Sequence, residues 1–356
     1  MKRFPLLAGP ALLACILIGS GCSQPKEGSA PANAPAGSSG DQTIAGAPTF
    51  RIITNGISPF WDSMVKGMND AKADVKCNAD WQGPDPADHN TQVKMFNDAL
   101  AANVNGIAIS AIEADAIVPT INSAIEKGVP VITFDSDSPK SKRMAYLGTN
   151  NFEAGRTAGQ EAVKLFPNGG NLIAFVGNMS AQNARERYDG FKAGVQGHNI
   201  TFLQDPYEDN KDKGRARQNV EQAIAKFGDK VNGFVGLYSY NGPAILEAVQ
   251  AAGIRNKVKI ICFDGEPETL DALTKGLVDV TVVQKPYEFG RLSIYLLNDI
   301  NKDKDIDKAL NDLQPELDKL QMKRNGRIID TGVEVITPAN ATPFMQRLKA
   351  RGLTST

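Results

Sequence analysis

The chain has 356 residues, 42% of them hydrophobic and 22% charged, with a formal net charge of −1. That is apolar material for about two cored domains, and it excludes a wholly disordered or collagen-like chain. A near-neutral balance gives no basic face for nucleic acid. With two histidines (His89, His198) and four cysteines, no HExxH, CxxC or Cys/His cluster can be written, so neither a metal centre nor a cofactor is expected.

Lys2 and Arg3 precede an apolar run from Phe4 to Ile18, closed by Gly19-Ser20-Gly21-Cys22. A basic start, a short apolar stretch and small residues make a secretory signal. Pro5, Gly9 and Pro10 interrupt the run, which suits a spanning helix poorly. The small residues before Cys22 resemble a bacterial lipobox, although Gly19 stands where that motif prefers Leu. The resemblance implies that Cys22 becomes the lipidated first residue of the mature chain; plain cleavage of the signal is the alternative. In residues 23–48, Ser, Pro, Ala and Gly fill 18 of 26 positions, too little apolar side chain to fold, so the segment is expected to be a flexible tether. Cys77 and Cys262 lie in separate halves of the body, and an exported chain could pair them; single buried thiols are the reading adopted.

From residue 49, apolar strand-like runs recur at Phe50–Thr54, Gly106–Ser110, Val129–Asp135, Ala145–Thr149, Asn171–Gly177, Gly233–Leu237, Val258–Asp264 and Val278–Gln284. Most lack polar alternation, as strands buried on both faces do. Helical periodicity fills the gaps at Asn90–Ala102, Ala116–Lys127, Ala154–Leu165, Asn183–Val195 and Ala216–Phe227. Such alternation predicts parallel βαβ units, divided between two sheets because one sheet with so many strands is uncommon. At the first helix, Ser58 is an N-cap candidate ahead of Pro59, which places Phe60 and Trp61 beside the carboxyl end of the first strand, where open α/β sheets bind ligands.

Polar residues close several of these strands: Ser110, Asp135, Asp264 and Gln284. One acid in such a place is often only a helix cap. Several together predict a polar cleft lined from two lobes. Planar side chains with paired donors or acceptors suit vicinal hydroxyls, each of which donates and accepts, and aromatic faces cover the C–H faces of a sugar ring. Phe60, Trp61, Phe263, Asp135, Asp264, Gln284 and an arginine form such a set, with no phosphate cradle among them. Tyr238 and Tyr240 suit the core and the cleft equally.

The body, roughly residues 49–340, resembles the ribose-type periplasmic sugar-binding proteins, the solute receptors of bacterial ABC importers. The likeness rests on an ordered set: Ser58-Pro59-Phe60-Trp61 with Gly67, Gly106-Ile-Ala-Ile-Ser110, Gly128-Val-Pro-Val-Ile-Thr-Phe-Asp135, Gly148-Thr-Asn150-Asn151 with Gly155, Ala184-Arg-Glu-Arg187 with Gly190-Phe191, Phe263-Asp264-Gly265, and Gln284 with Pro286. The resemblance implies an α/β fold of two interleaved doubly wound parallel-sheet lobes joined by a three-strand hinge. The N-lobe is expected at 49–149 plus 286–325, the C-lobe at 150–285 plus 326–340, and a tail at 341–356. Crossings are expected near Thr149–Asn151, Gln284–Pro286 and before Thr331.

By position, the resemblance implies that Phe60 and Trp61 stack on the sugar, that Asp135 bonds hydroxyls from the N-lobe, and that Arg187, Asp264 and Gln284 do so from the C-lobe with Phe263 beside Asp264. Four departures from the ribose pattern stand out: Ser58 and Ser110 replace asparagines, Ser136 replaces an arginine, and Tyr238-Ser239-Tyr240-Asn241 replaces a shorter turn, so Asn241 is aligned as the contact. An aromatic expected near Asp209-Asn210 is also missing. The ligand is therefore expected to be a monosaccharide such as a pentose, hexose or deoxysugar. The resemblance further implies an ABC permease partner, a possible chemoreceptor or sensor kinase, a monomer, and a periplasmic or envelope location. Other classes fare worse. An enzyme finds no GxGxxG, GxxxxGK[ST] or GxSxG here, and Asp135 with Asp264 is left as a notional glycosidase pair. A sugar-responsive transcriptional regulator would carry a helix-turn-helix where this chain has its signal and tether. A receptor for a non-sugar solute, such as a furanosyl signal molecule, is the remaining alternative.

Overall fold

Residues 43–356 are described by the computed structural model, so Cys22 and the tether as far as Gln42 lie outside the described residues. The last positions of the expected tether are tied to the body: Asn78 accepts from the Ile44 backbone N–H at 2.9 Å and donates to the Ile44 carbonyl at 3.0 Å.

The apolar runs become strands because both of their faces are covered. β1 (Thr49–Ile53), β3 (Gly106–Ile109), β4 (Val131–Phe134) and β5 (Tyr146–Gly148) are buried almost throughout. With β2 (Asn78–Gln82), β12 (Lys323–Asn325) and β13 (Ile328–Asp330) they form a seven-stranded sheet of order β12-β13-β5-β4-β3-β1-β2. All its pairings are parallel except β12 on β13. The second sheet has the order β14-β11-β10-β9-β6-β7. It contains β6 (Gly170–Val176), β7 (Ile200–Phe202), β9 (Gly233–Gly236), β10 (Lys259–Phe263), β11 (Val280–Val283) and an antiparallel edge, β14 (Glu334–Ile336). The short β8 (Tyr207–Glu208) pairs with the end of β6.

Helices cover both faces of each sheet. On the first, α1 (Phe60–Val75), α9 (Pro286–Asp303) and α10 (Ile306–Lys319) close one core, and α2 (His89–Ala101) with α3 (Val118–Glu126) the other. On the second, α4 (Asn151–Leu165) and α5 (Gln182–Gly194) close one core; α6 (Lys213–Phe227), α7 (Asn241–Ala251), α8 (Pro267–Thr274) and α11 (Ala341–Ala350) close the other. Cys77 and Cys262 are free, buried and in different cores.

The chain passes between the lobes three times: from β5 into α4, from β11 into α9, and from β13 into β14. Residues 326–340, expected wholly in the C-lobe, are divided. β13 pairs in parallel with β5, Ile328 opposite Tyr146 and Asp330 opposite Gly148, and within this segment only β14 joins the second sheet, on β11. The third crossing therefore follows Asp330 and does not precede it. Within residues 341–356, expected as a C-terminal tail, Ala341 and Phe344 of α11 enter the second lobe's core. Beyond α11, the Ser355 carbonyl accepts from Ser63 on α1 at 2.7 Å, while Gly265 after β10 donates to Thr356 Oγ1 at 2.8 Å.

Two helix pairs pack without intervening side chains. A Cβ on Gly67 would lie 1.9 Å from the Tyr287 carbonyl oxygen, and one on Gly290 2.0 Å from that of Met64, which fixes α1 against α9. Gly155 and Gly190 do the same for α4 and α5, at 2.1 Å from the Arg187 carbonyl oxygen and 2.0 Å from that of Phe152. The glycines of the ordered sequence set thus seat the helices that carry Phe60, Trp61 and Arg187.

Candidate functional site

A cavity of about 420 Å³ opens between the carboxyl ends of the two sheets, within the usual range for small-molecule sites. Of the expected residues, Ser58, Phe60, Trp61, Asp135, Arg187, Asp264 and Gln284 line it. Ser110, Asn241 and Phe263 do not; they stand immediately behind the lining.

α1 starts at Phe60 with Pro59 already helical and no side-chain cap bond, so Ser58 lines the cavity and does not cap. Phe60 and Trp61 meet edge to face at 4.8 Å, and Trp61 meets Phe134 of β4 at 5.8 Å. Their exposures of 6% and 3% show that each is core on one side and cavity wall on the other.

Asp135 and Asp264 directly follow β4 and β10, and both have left-handed backbones, φ 54° and 61°. The turn brings each carboxyl over the end of its own sheet. Asp135 Oδ2 accepts from Ser110 Oγ at 2.7 Å and Asn55 Nδ2 at 3.2 Å. Asp264 accepts from the Gln284 backbone N–H at 3.0 Å and from Gln284 Nε2 at 3.0 Å. Burial raises the pKa of both carboxyls against the opposing pull of Arg187; Asp264 is pushed up to about 6.

Arg187 is 2% exposed, and its guanidinium lies over Phe263 at 4.9 Å and Tyr238 at 5.8 Å. Nε donates to Asn151 Oδ1 and Nη1 to the Leu237 carbonyl, both at 2.9 Å. Among the described residues Nη2 has no hydrogen-bond partner, and it lies 4.0 Å from Asp135 Oδ1. Gln284 Oε1, also buried, likewise lacks one.

Asn241, aligned as a contact, is buried behind the cavity wall: as the first residue of α7 it accepts from the Tyr238 backbone N–H and donates to Asp209 Oδ2. The longer turn places Tyr238, Ser239 and Tyr240 on the cavity instead. Sequence reasoning missed Asn55, Asn183 and Lys211, all lining residues. Asn55 was within reach, as the polar residue just past β1. Lys211 has no sequence signal, since a lysine in a polar loop ordinarily faces solvent. Burial pulls its pKa down to about 7, opposed by Asp135 and Asp209. Among the described residues no group of three or more His, Cys, Asp or Glu could hold a metal ion.

The wall therefore offers aromatic faces, two carboxyls, an unpartnered donor and an unpartnered acceptor, a set for binding a polyhydroxylated molecule.

Comparison with known proteins agrees with this geometry. The family model described as a periplasmic binding protein domain matches residues 51–305. The xylose/arabinose-binding protein XylF of Sulfolobus acidocaldarius is 24% identical over 331 residues, 86% of this chain and 75% of that protein. A solute-binding protein of an ABC transporter from Burkholderia graminis, solved with D-arabinose, is 28% identical at a TM-score of 0.72, covering 85% of this chain and 99% of that one. The XylFII-LytSN complex contains a chain 29% identical at a TM-score of 0.70, covering 82% of this chain and 98% of that one. With the fold, the cleft and the match over most of its length in agreement, the chain belongs to the periplasmic binding protein family, the extracytoplasmic, non-enzymatic solute receptors of ABC importers.

Proposed function

We propose that the cleft captures one neutral monosaccharide between its lobes and delivers it to an ABC permease. One observation carries the reading: Arg187 Nη2 and Gln284 Oε1 are buried at the cavity wall without partners among the described residues. A buried donor or acceptor left unmade costs about 1–3 kcal/mol, and a hydroxyl, which both donates and accepts, satisfies either. Asp135 and Asp264 retain lone pairs for further hydroxyls, and Phe60 with Trp61 supplies the apolar wall. A bound sugar that bonds both lobes favours their closed arrangement, which the permease then reads. The absence of ribose-type residues at Ser58, Ser110 and Ser136 favours a pentose other than ribose, a hexose or a deoxysugar.

Cys22, with its lipobox-like surroundings, carries the lipid anchor in this reading, and the receptor works as a monomer. The XylFII-LytSN complex supports a second protein partner, of the chemoreceptor or sensor kind, for this chain as well.

The test is thermal unfolding against a panel of pentoses, hexoses and their deoxy analogues. A sugar at 100 times its dissociation constant stabilises the protein by about 2.7 kcal/mol. No shift with any of them would sink the proposal, and turnover of a glycoside would replace it with an enzyme.

A further inference from the structure

Between β8 and α6 the chain makes a strained turn. Asn210 and Lys211 are consecutive left-handed residues, φ 54° and 63°, a conformation that is costly for an L side chain such as lysine. The turn is held from beneath. Asp209, fully buried, accepts from Tyr240 Oη, from Asn241 Nδ2 at 2.9 Å and from the Lys211 backbone N–H at 2.8 Å. The Asn210 backbone N–H donates to the Gly177 carbonyl at 2.7 Å. Strain maintained by so many surrounding bonds points to use of the side chain it presents.

That side chain crosses the cleft. Its stem runs past Gly56, where a Cβ would stand 3.7 Å from Lys211 Cδ, and its ammonium donates to the Asn55 carbonyl. Lys211 belongs to the second lobe and Asn55 to the first, and the Asn55 amide passes the link on to Asp135. An ammonium has three N–H donors. Only one has a hydrogen-bond partner among the described residues, and Lys211 lines the cavity. Here, too, the resemblance led to an aromatic being expected. A point donor in place of a ring face exchanges recognition of C–H surface for recognition of an oxygen.

We propose that Lys211 is a specificity-determining contact and an interlobe clasp: its ammonium joins the lobes through the Asn55 carbonyl and donates to one hydroxyl oxygen of the bound sugar. The proposal rests on the sugar-receptor reading above. Its ligands are sugars that carry an acceptor oxygen at that edge, and the analogue lacking that oxygen is discriminated against.

The experiment is calorimetric titration of wild type, Lys211→Met and Lys211→Gln. The probes are the tightest binder among D-ribose, D-xylose, L-arabinose, D-glucose and D-galactose, and its monodeoxy analogues. Small-angle scattering of the ligand-free proteins accompanies it. Lys211→Met keeps the stem against Gly56 and is expected to weaken the parent sugar about 10–100-fold, the worth of a hydrogen bond to a charged group. Lys211→Gln is expected to fall between. For one monodeoxy analogue the penalty should shrink to about threefold or less, the non-additivity of a shared contact. Ligand-free Lys211→Met should scatter as a more open particle than wild type. Equal penalties for the parent and every analogue would overturn the sugar contact, as would a Lys211→Met affinity within about twofold of wild type. Identical ligand-free scattering would overturn the clasp. Failure of wild type to bind any of the five sugars would overturn the sugar reading and the contact with it, while scattering would still decide the clasp.

Discussion

Asp135 and Asp264 approach the cleft from opposite lobes in the same unusual backbone conformation, and burial raises the pKa of both. For Asp264, pushed up to about 6, the sign follows directly. The native state keeps a proton that the unfolded chain gives up near 3.8, so this group's contribution to stability declines as pH rises through about 4 to 6. Sugar binding works the other way, because hydroxyls donating to the carboxylate favour its charged form. Affinity is therefore expected to fall as pH drops below about 6, by roughly tenfold at one unit lower. Titrating the preferred sugar between pH 5 and 6, where Lys211 with its pKa of about 7 keeps its proton, checks it, and a flat profile there would contradict the role of Asp264. Asp264→Asn should bind weakly at every pH and lose much of this slope; Asp135, also raised and on the cavity wall, supplies the remainder. At this scale the sequence disclosed the groups at strand ends, because a polar residue closing an apolar run has few places to go. It did not disclose Lys211, whose placement depends on a turn braced by three distant residues. Nor did it disclose that the longer turn sets Tyr238, Ser239 and Tyr240 on the cavity wall with Asn241 behind them.

Whole helices are placed by the backbone contacts of α1 with α9 and of α4 with α5. Arg187 is aimed by the second pair: its own carbonyl is the atom that a Cβ on Gly155 would strike. Gly190→Ala is accordingly expected to push α5 off α4 and destabilise the protein by about 1–3 kcal/mol, the usual cost of overpacking, read as a shift in denaturant midpoint at unchanged slope. Sugar affinity should fall as well, since Arg187 moves with its helix. An alanine tolerated without loss at Gly190 would show that the contact relaxes. The strands and first helices were legible because double burial leaves an uninterrupted apolar signature. The edge elements β2, β12 and β14 were not. β2 reads Asn-Ala-Asp-Trp-Gln with no residue fully buried, and β12 reads Lys-Arg-Asn; only their neighbours make them strands.

At the scale of the molecule, each lobe has its own cores, and three chain crossings join them. The last residues add a further, non-covalent link. Ser355 accepts from Ser63 through its carbonyl and donates through its hydroxyl to the Pro59 carbonyl at 3.0 Å, both at the start of the helix that bears Phe60 and Trp61. Thr356 exchanges hydrogen bonds with Gly265, the residue after Asp264. Leu353 is 8% exposed, so the segment is seated as well as bonded. Ending the chain after Gly352 removes one buried leucine, worth about 1.5–3 kcal/mol, and a net contribution of about 1 kcal/mol per hydrogen bond. A loss of several kcal/mol in chemical denaturation is therefore expected. Because the segment holds the two lobes' binding elements together without touching the cavity, the truncated protein should also bind its sugar more weakly, with the relative order of the sugar panel unchanged. A changed order would mean that the segment shapes the cavity itself. Unchanged stability and affinity together would mean that the segment does not couple the lobes.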